Sequence, residues 1–150
     1  MLASATASGH AADAPRVRVG VVGCGYWGPK LARNFHDLTA AKLVAACDFQ
    51  ESRLAHIRAL YPEVWTTDQY ESLLRADLDA VVIATPVHSH YPLARAALEA
   101  GKHVLIEKPI TSDACQAAEL VKLADDRGLT LMVGHTFEYN PAVEAVQRII

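Results

Sequence analysis

With 150 residues, 51% of them hydrophobic and 21% charged, the chain is long enough for one domain with a sizeable core, and its composition excludes a disordered or fibrous protein. A net charge of −3, with acids and bases interspersed, offers no general attraction to nucleic acid or to an anionic membrane, and no run approaches the ~18 apolar residues of a membrane span. The cysteines Cys24, Cys47 and Cys115 are odd in number and form no CxxC pair, which argues against a disulfide framework or zinc ribbon and fits a reducing cytoplasm.

Residues 1–15 are rich in Ala and Ser, carry no periodicity and lack a basic n-region, so a flexible leader is expected there. The apolar run Val17–Val22 predicts a first strand. It leads into Gly23-Cys24-Gly25-Tyr26-Trp27-Gly28 and then a helical pattern with Leu31, Phe35 and Leu38 as its stripe and Pro29 in its first turn. A second strand, Leu43–Cys47, ends at Asp48, and Leu54, Ile57 and Tyr61 mark a helix that Pro62 stops. Val64–Thr66 predicts a short strand, and Thr67 or Asp68 caps a brief helix through Leu74. Ala80–Ala84 has the continuous apolar character of a strand buried on both faces.

From Pro92 to Ala100 the pattern is helical, with Pro92 suited to the first helical position and Gly101 to the residue past the last turn. His103–Ile106 is the next strand. Ser112 or Asp113 opens a helix along Ala117, Val121 and Ala124 that ends at Gly128, and Leu129–Val133 completes the alternation before an apolar helical pattern at 142–150. Strict strand–helix alternation predicts an α/β fold, a doubly wound and mainly parallel sheet with helices on both faces. In such sheets ligands bind beyond the carboxyl ends of the strands, where Gly23–Gly28, Asp48, Thr85-Pro86, Glu107-Lys108-Pro109 and Gly134-His135 all fall.

The glycine pattern between strand and helix, with an acid twenty positions on, has the full context of a dinucleotide site. The first glycine permits the turn, the second lets backbone N–H groups approach a pyrophosphate, and the third lets helix and strand pack closely. The helix N-terminus supplies partial positive charge for the diphosphate. Asp48 is expected to accept hydrogen bonds from both adenosine ribose hydroxyls and to repel a 2′-phosphate, favouring NAD over NADP. A methyltransferase also sets a glycine turn and an acid at these positions, but Trp27 and the Glu-Lys-Pro motif argue against it. Cys24, at a helix N-terminus, is either a thiol of lowered pKa or a small residue in a tight loop.

Lys108, at the end of a strand, is a candidate for proton exchange with a substrate hydroxyl, with burial and a neighbouring cation lowering its pKa. Glu107 is a candidate partner of the nicotinamide ribose; the alternative is a solvated Glu-Lys pair closing a strand. Thr85, Pro86 and His88 are expected along the diphosphate and nicotinamide ribose, while His90 either joins them or bonds backbone at a helix start. His88-x-His90 lacks a third ligand, so no metal is expected. His135 is either a structural histidine or a wall of the nicotinamide pocket.

Taken together, GCGYWG, the spaced Asp48, Ala84-Thr85-Pro86 with His90 four residues after the proline, and Glu107-Lys108-Pro109 resemble the Gfo/Idh/MocA family of nicotinamide-dependent oxidoreductases. The resemblance runs from about Arg16 to Ile150, and its GCGYWG and Gly134-His135-Thr136-Phe137 with Asn140-Pro141 are similar to bacterial sugar and nucleotide-sugar dehydrogenases. It implies a Rossmann domain binding NAD over residues 16–135, a connection beginning at 136–150, and a C-terminal α+β substrate domain that this chain lacks. It also implies hydride transfer between a sugar carbon and nicotinamide, Lys108 as catalytic lysine, Glu107 as a cofactor-binding acid, and a homo-oligomer at full length.

The sequence departs from the family pattern at Val87, where many relatives carry asparagine, and in the absent Asp-xxx-His pair of the substrate domain. Family members are more than twice this length, so the chain is read either as a fragment of a longer enzyme, inactive by itself, or as a truncated protein. The competing function is a non-catalytic dinucleotide sensor or regulatory partner, against which Lys108 argues.

Overall fold

The computed structural model describes residues 15–150, and the leader expected over residues 1–15 lies, apart from Pro15, outside them. Six strands form one sheet: β1 (Val17–Val22), β2 (Ala41–Cys47), β3 (Trp65–Thr67), β4 (Ala80–Ile83), β5 (His103–Ile106) and β6 (Leu131–Val133). They lie in the order β3-β2-β1-β4-β5-β6, and every pairing is parallel. This is the doubly wound order whose direction reverses between β1 and β4, so a crevice opens where the chain leaves those two strands in opposite directions.

The helices are α1 (Gly28–Asp37), α2 (Glu51–Leu60), α3 (Tyr70–Arg75), α4 (His90–Glu99), α5 (Ala114–Asp126) and α6 (Pro141–Gln147). Successive strand residues point to opposite faces, which divides the core in two. Val19, Val21 and Val82 pack with Leu43, Leu54 and Ile57 under α1 and α2. Val22, Val81 and Ile83 pack with Leu73, Leu98, Ile106 and Leu120 under α3, α4 and α5. Each such fully buried aliphatic side chain contributes about 1.5–3 kcal/mol relative to exposure. At the opposite edge from the crevice, Arg18 donates from Nε and Nη2 to Asp79 at 3.1 and 2.7 Å and from its backbone N–H at 2.7 Å, clasping β1 to the lead-in of β4.

Several local expectations meet a different outcome. Leu38 is the residue that caps α1 and is half exposed, because the helix ends at Asp37 before that position can turn inward. In α5 the buried positions are Leu120 and Ala124 while Val121 is exposed, which rotates the stripe from the one expected. Pro92 is the third residue of α4, because a one-turn 3-10 helix at Val87–Ser89 runs directly into it. The terminators fall as expected: Gly101 and Gly128 take φ of 74° and 63°, the left-handed conformation glycine adopts without strain. Asp113 caps α5 by accepting from the backbone N–H of Cys115 and Gln116 at 2.8 and 3.0 Å.

Candidate cofactor site at the strand edge

The crevice holds a cavity of about 640 Å³ whose wall includes Gly23, Gly25, Tyr26, Trp27, Asp48, Thr85, Pro86 and His88. The three glycines of the turn do different work. Gly23 has φ of 88°, and a Cβ on it would meet the Ala84 carbonyl group and Thr85 Cγ2 at 2.8 Å. On Gly28 a Cβ would overlap the Gly23 carbonyl oxygen, so α1 reaches the turn only without a side chain there. Gly25 is the opposite case: its Cβ position meets nothing nearer than Arg53 Nη1 at 3.8 Å and borders the cavity. A cradle that a side chain would begin to fill, beside the N-terminus of α1, fits a diphosphate.

Asp48 is built into this turn more deeply than expected. Its Oδ2 accepts from the backbone N–H of Cys24 at 2.7 Å and from Arg53 Nη1 at 3.3 Å, and its Oδ1 accepts from the backbone N–H of Gln50 at 2.8 Å. The side chain is 2% exposed. A carboxylate has about four acceptor positions, and three are taken, so the expectation that it receives both ribose hydroxyls is revised to at most one further bond. The Cys24 N–H is likewise spent on Asp48 rather than on a diphosphate. Its thiol lies buried against the Cys47 carbonyl, and burial, with the neighbouring Asp48 charge, pushes it up to about 12, which removes the low-pKa alternative.

Tyr26 and Trp27 stand exposed on the turn with ring centroids 5.3 Å apart, edge to face, and the Lys30 amine lies 3.3 and 4.5 Å from the two centroids. That amine draws the Tyr26 hydroxyl below its ordinary pKa. Lys30, Arg53, Phe49 and Tyr70 were not expected from the sequence, and Asp68 was expected only as a helix cap. Only Lys30 and Arg53 carried a usable signal, each a cation in the first turn of a helix that follows a strand of the site.

The other residues separate. Glu107 and His135 border a second, smaller cavity with Leu31, Leu105, Met132 and Tyr139. The Glu107 carboxylate lies 3.5 Å from where a Gly134 Cβ would be, an ordinary van der Waals contact that places the acid beside the end of β6. Lys108 follows at the end of β5, exposed, before a cis peptide to Pro109, and no carboxylate pairs with its amine among the described residues. The burial expected around Lys108 is therefore not supplied by these residues.

His90 is 1% exposed, and its two ring nitrogens each lie 2.8 Å from a carbonyl oxygen, that of Pro109 and that of Thr85. With both nitrogens so engaged it is a positioning residue that joins the two loops, which corrects the expectation of direct cofactor contact. His88 is exposed and faces the first cavity without a metal set; no group of three His, Cys, Asp or Glu side chains suited to a metal ion occurs among the described residues. No helix among them is long and apolar enough to cross a membrane.

Residues 17–135 match the model of an oxidoreductase family with an NAD-binding Rossmann fold, Gfo/Idh/MocA. The chain is 33% identical over 137 residues to UDP-N-acetylglucosamine 3-dehydrogenase of Acidithiobacillus ferrooxidans, covering 88% of this chain and 41% of that protein. It is similar to scyllo-inositol dehydrogenase from Lactobacillus casei, solved with NAD(H) and scyllo-inositol, at a TM-score of 0.83 and 26% identity over 90% of this chain and 41% of that one. A 3-ketoreductase from Actinomadura kijaniata, solved with NADP and TDP-benzene, superposes with a TM-score of 0.84 at 31% identity over 90% of this chain and 42% of that one. The chain thus spans about two fifths of the length of these relatives.

Proposed function

The chain belongs to the Gfo/Idh/MocA oxidoreductase family, as its NAD-binding Rossmann domain, and on that premise we propose that it is the cofactor-holding part of a sugar or nucleotide-sugar dehydrogenase. In this reading residues 16–135 bind the dinucleotide and 136–150 begin the connection to a substrate domain. The observation that carries it is the open position at Gly25, set between the tightly packed Gly23 and Gly28 at the mouth of the switch-point cavity.

NAD supplies the hydride acceptor. Oxidising a secondary alcohol also removes a proton from oxygen, and Lys108 is the group assigned to it: the amine takes the proton during oxidation and the ammonium returns it during reduction. Glu107, beside it, holds the nicotinamide ribose, and His135 walls that pocket. The turn Gly23–Gly28 holds the diphosphate, with Thr85, Pro86 and His88 opposite. Alone the chain binds dinucleotide without turnover, because positioning the reacting carbon is a large share of catalysis.

Titration calorimetry with NAD on wild type and Gly25→Val tests the site. The substitution is expected to weaken NAD by about a hundredfold or more while leaving the circular dichroism unchanged, since it fills ligand space and its Cβ meets nothing nearer than the flexible end of Arg53 at 3.8 Å. Retained affinity in the folded variant would move the diphosphate away from this turn. NAD binding by a full-length relative of this chain that turned over no sugar or nucleotide sugar would favour the sensor reading.

A further inference from the structure

The exclusion of a 2′-phosphate by an acid at the end of β2 assumes that the acid's charge faces the ribose. Here it does not. The Asp48 carboxylate is covered by two peptide N–H groups and by the Arg53 guanidinium, and the exposures of the two side chains are 2% and 38%. Both residues border the cavity at that point, and the arginine is the more exposed of the two. It lies on α2, 3.8 Å from the position a Gly25 Cβ would take and 5.9 Å from the centre of the exposed Phe49 ring, so it spans the wall between the glycine turn and Phe49.

A guanidinium has five N–H donors in a rigid fork, and this one spends a single N–H on Asp48. Such a fork matches phosphate oxygens bidentately, and a phosphate monoester carries roughly −1.5 to −2 charge at neutral pH. The remaining charges near the cavity are few. Asp68, exposed at the end of β3, opposes a phosphate; His88 lies on the other wall; Arg58 is occupied by Glu51 and by the Thr66 hydroxyl farther along α2.

Resting on the cofactor site described above, we propose that Arg53 faces the 2′ position of the adenosine ribose and that the site consequently accepts NADP alongside NAD. Asp48 then acts as the tie that holds the glycine turn to the β2 end and holds Arg53 in place.

The test is titration calorimetry of the whole chain with NAD and with NADP, for wild type, Arg53→Gln and Arg53→Lys. Wild type is expected to bind the two within about tenfold of each other. Arg53→Gln should weaken NADP by about tenfold more than it weakens NAD, the loss expected for a charge-assisted hydrogen-bonded pair. Arg53→Lys, which keeps the charge and loses the fork, should fall between them and covers the case in which the glutamine variant fails to fold. NADP binding should also decline more steeply with salt than NAD binding, and that excess should vanish in Arg53→Gln. Wild-type NADP affinity more than about a hundredfold below that for NAD, or equal losses for both dinucleotides in the variants, would overturn the assignment of Arg53. Failure of wild type to bind either dinucleotide would overturn the cofactor site itself, and this inference with it.

Discussion

The two ends of the strand edge are built to different standards. At the β1–β2 end the polar groups are satisfied within the chain: Asp48 accepts three hydrogen bonds, and Gly23 and Gly28 are packed against backbone so closely that neither admits a Cβ. At the β5–β6 end Lys108 and His135 are exposed, as are Met132, Phe137 and Tyr139 around them. In the proposed function the preorganised groups serve a ligand whose shape is constant, such as a diphosphate, and the exposed lysine is the group assigned to proton transfer with a substrate held by other parts of the protein.

The largest expected effect tests the open end. In a longer protein that carries a substrate domain, Lys108→Ala should lower kcat by roughly 10²–10⁴, the usual range for losing a general acid–base group, with NAD affinity nearly unchanged. Steady-state turnover beside fluorescence titration with NADH reads both numbers. Unchanged turnover would remove Lys108 from the chemistry and erase the functional half of the contrast.

The closed end should respond in stability instead. A Gly28→Ala substitution puts a methyl where the Gly23 carbonyl already stands, and overpacking of this kind costs about 1–3 kcal/mol or more, so urea denaturation should show a clear loss. Gly25→Val, although the larger side chain, should show almost none. Equal destabilisation by the two would mean that the turn has no distinct ligand-facing position.

The smallest effect lies at the far edge of the sheet and bears on pH. Hydrogen bonds from Arg18 hold the Asp79 carboxyl down at about 2, against an ordinary value of 3.8. Because the folded-state pKa is depressed, the stabilisation is complete above about pH 4 and is lost as pH falls towards about 2. The Asp79 side chain is 37% exposed, so solvent screening keeps the contribution to about 1 kcal/mol or less. Urea denaturation of wild type and Asp79→Asn at a series of pH values, followed by circular dichroism, should show wild type more stable by that amount above about pH 4 and the difference fading as pH falls towards about 2. Identical curves would show that this clasp contributes nothing.

Reading the sequence located whole elements better than contacts between them. Strand β5 and the helix ends at Gly101 and Gly128 follow from local chemistry, a short apolar run and residues free to take positive φ. The exposed Leu38 and Val121 were not legible, because a stripe of apolar residues at helical spacing does not say where the helix stops or how far it rotates over the sheet. In the site, the spacing of Gly23, Gly25, Gly28 and Asp48 pointed to the edge at which the larger of the two cavities described opens. That Asp48 would bond Cys24 N–H depends on the lateral pairing of β1 with β2, and that Arg53 would cover it depends on the direction in which α2 leaves the sheet. Neither is a property of local sequence.

The imidazole of His90 spans from the Thr85 carbonyl to that of Pro109, and so from the loop after β4 to the loop that carries Lys108. A fully buried ring with both ends anchored behaves as a fixed-length spacer between two otherwise separate pieces of backbone. The separation between the wall at Thr85-Pro86 and the backbone from which Lys108 extends is thereby inherited from the fold. In the proposed function a hydride and a proton leave adjacent atoms of one molecule, which demands two placements at once, and a shared spacer between the two loops gives both placements a common baseline.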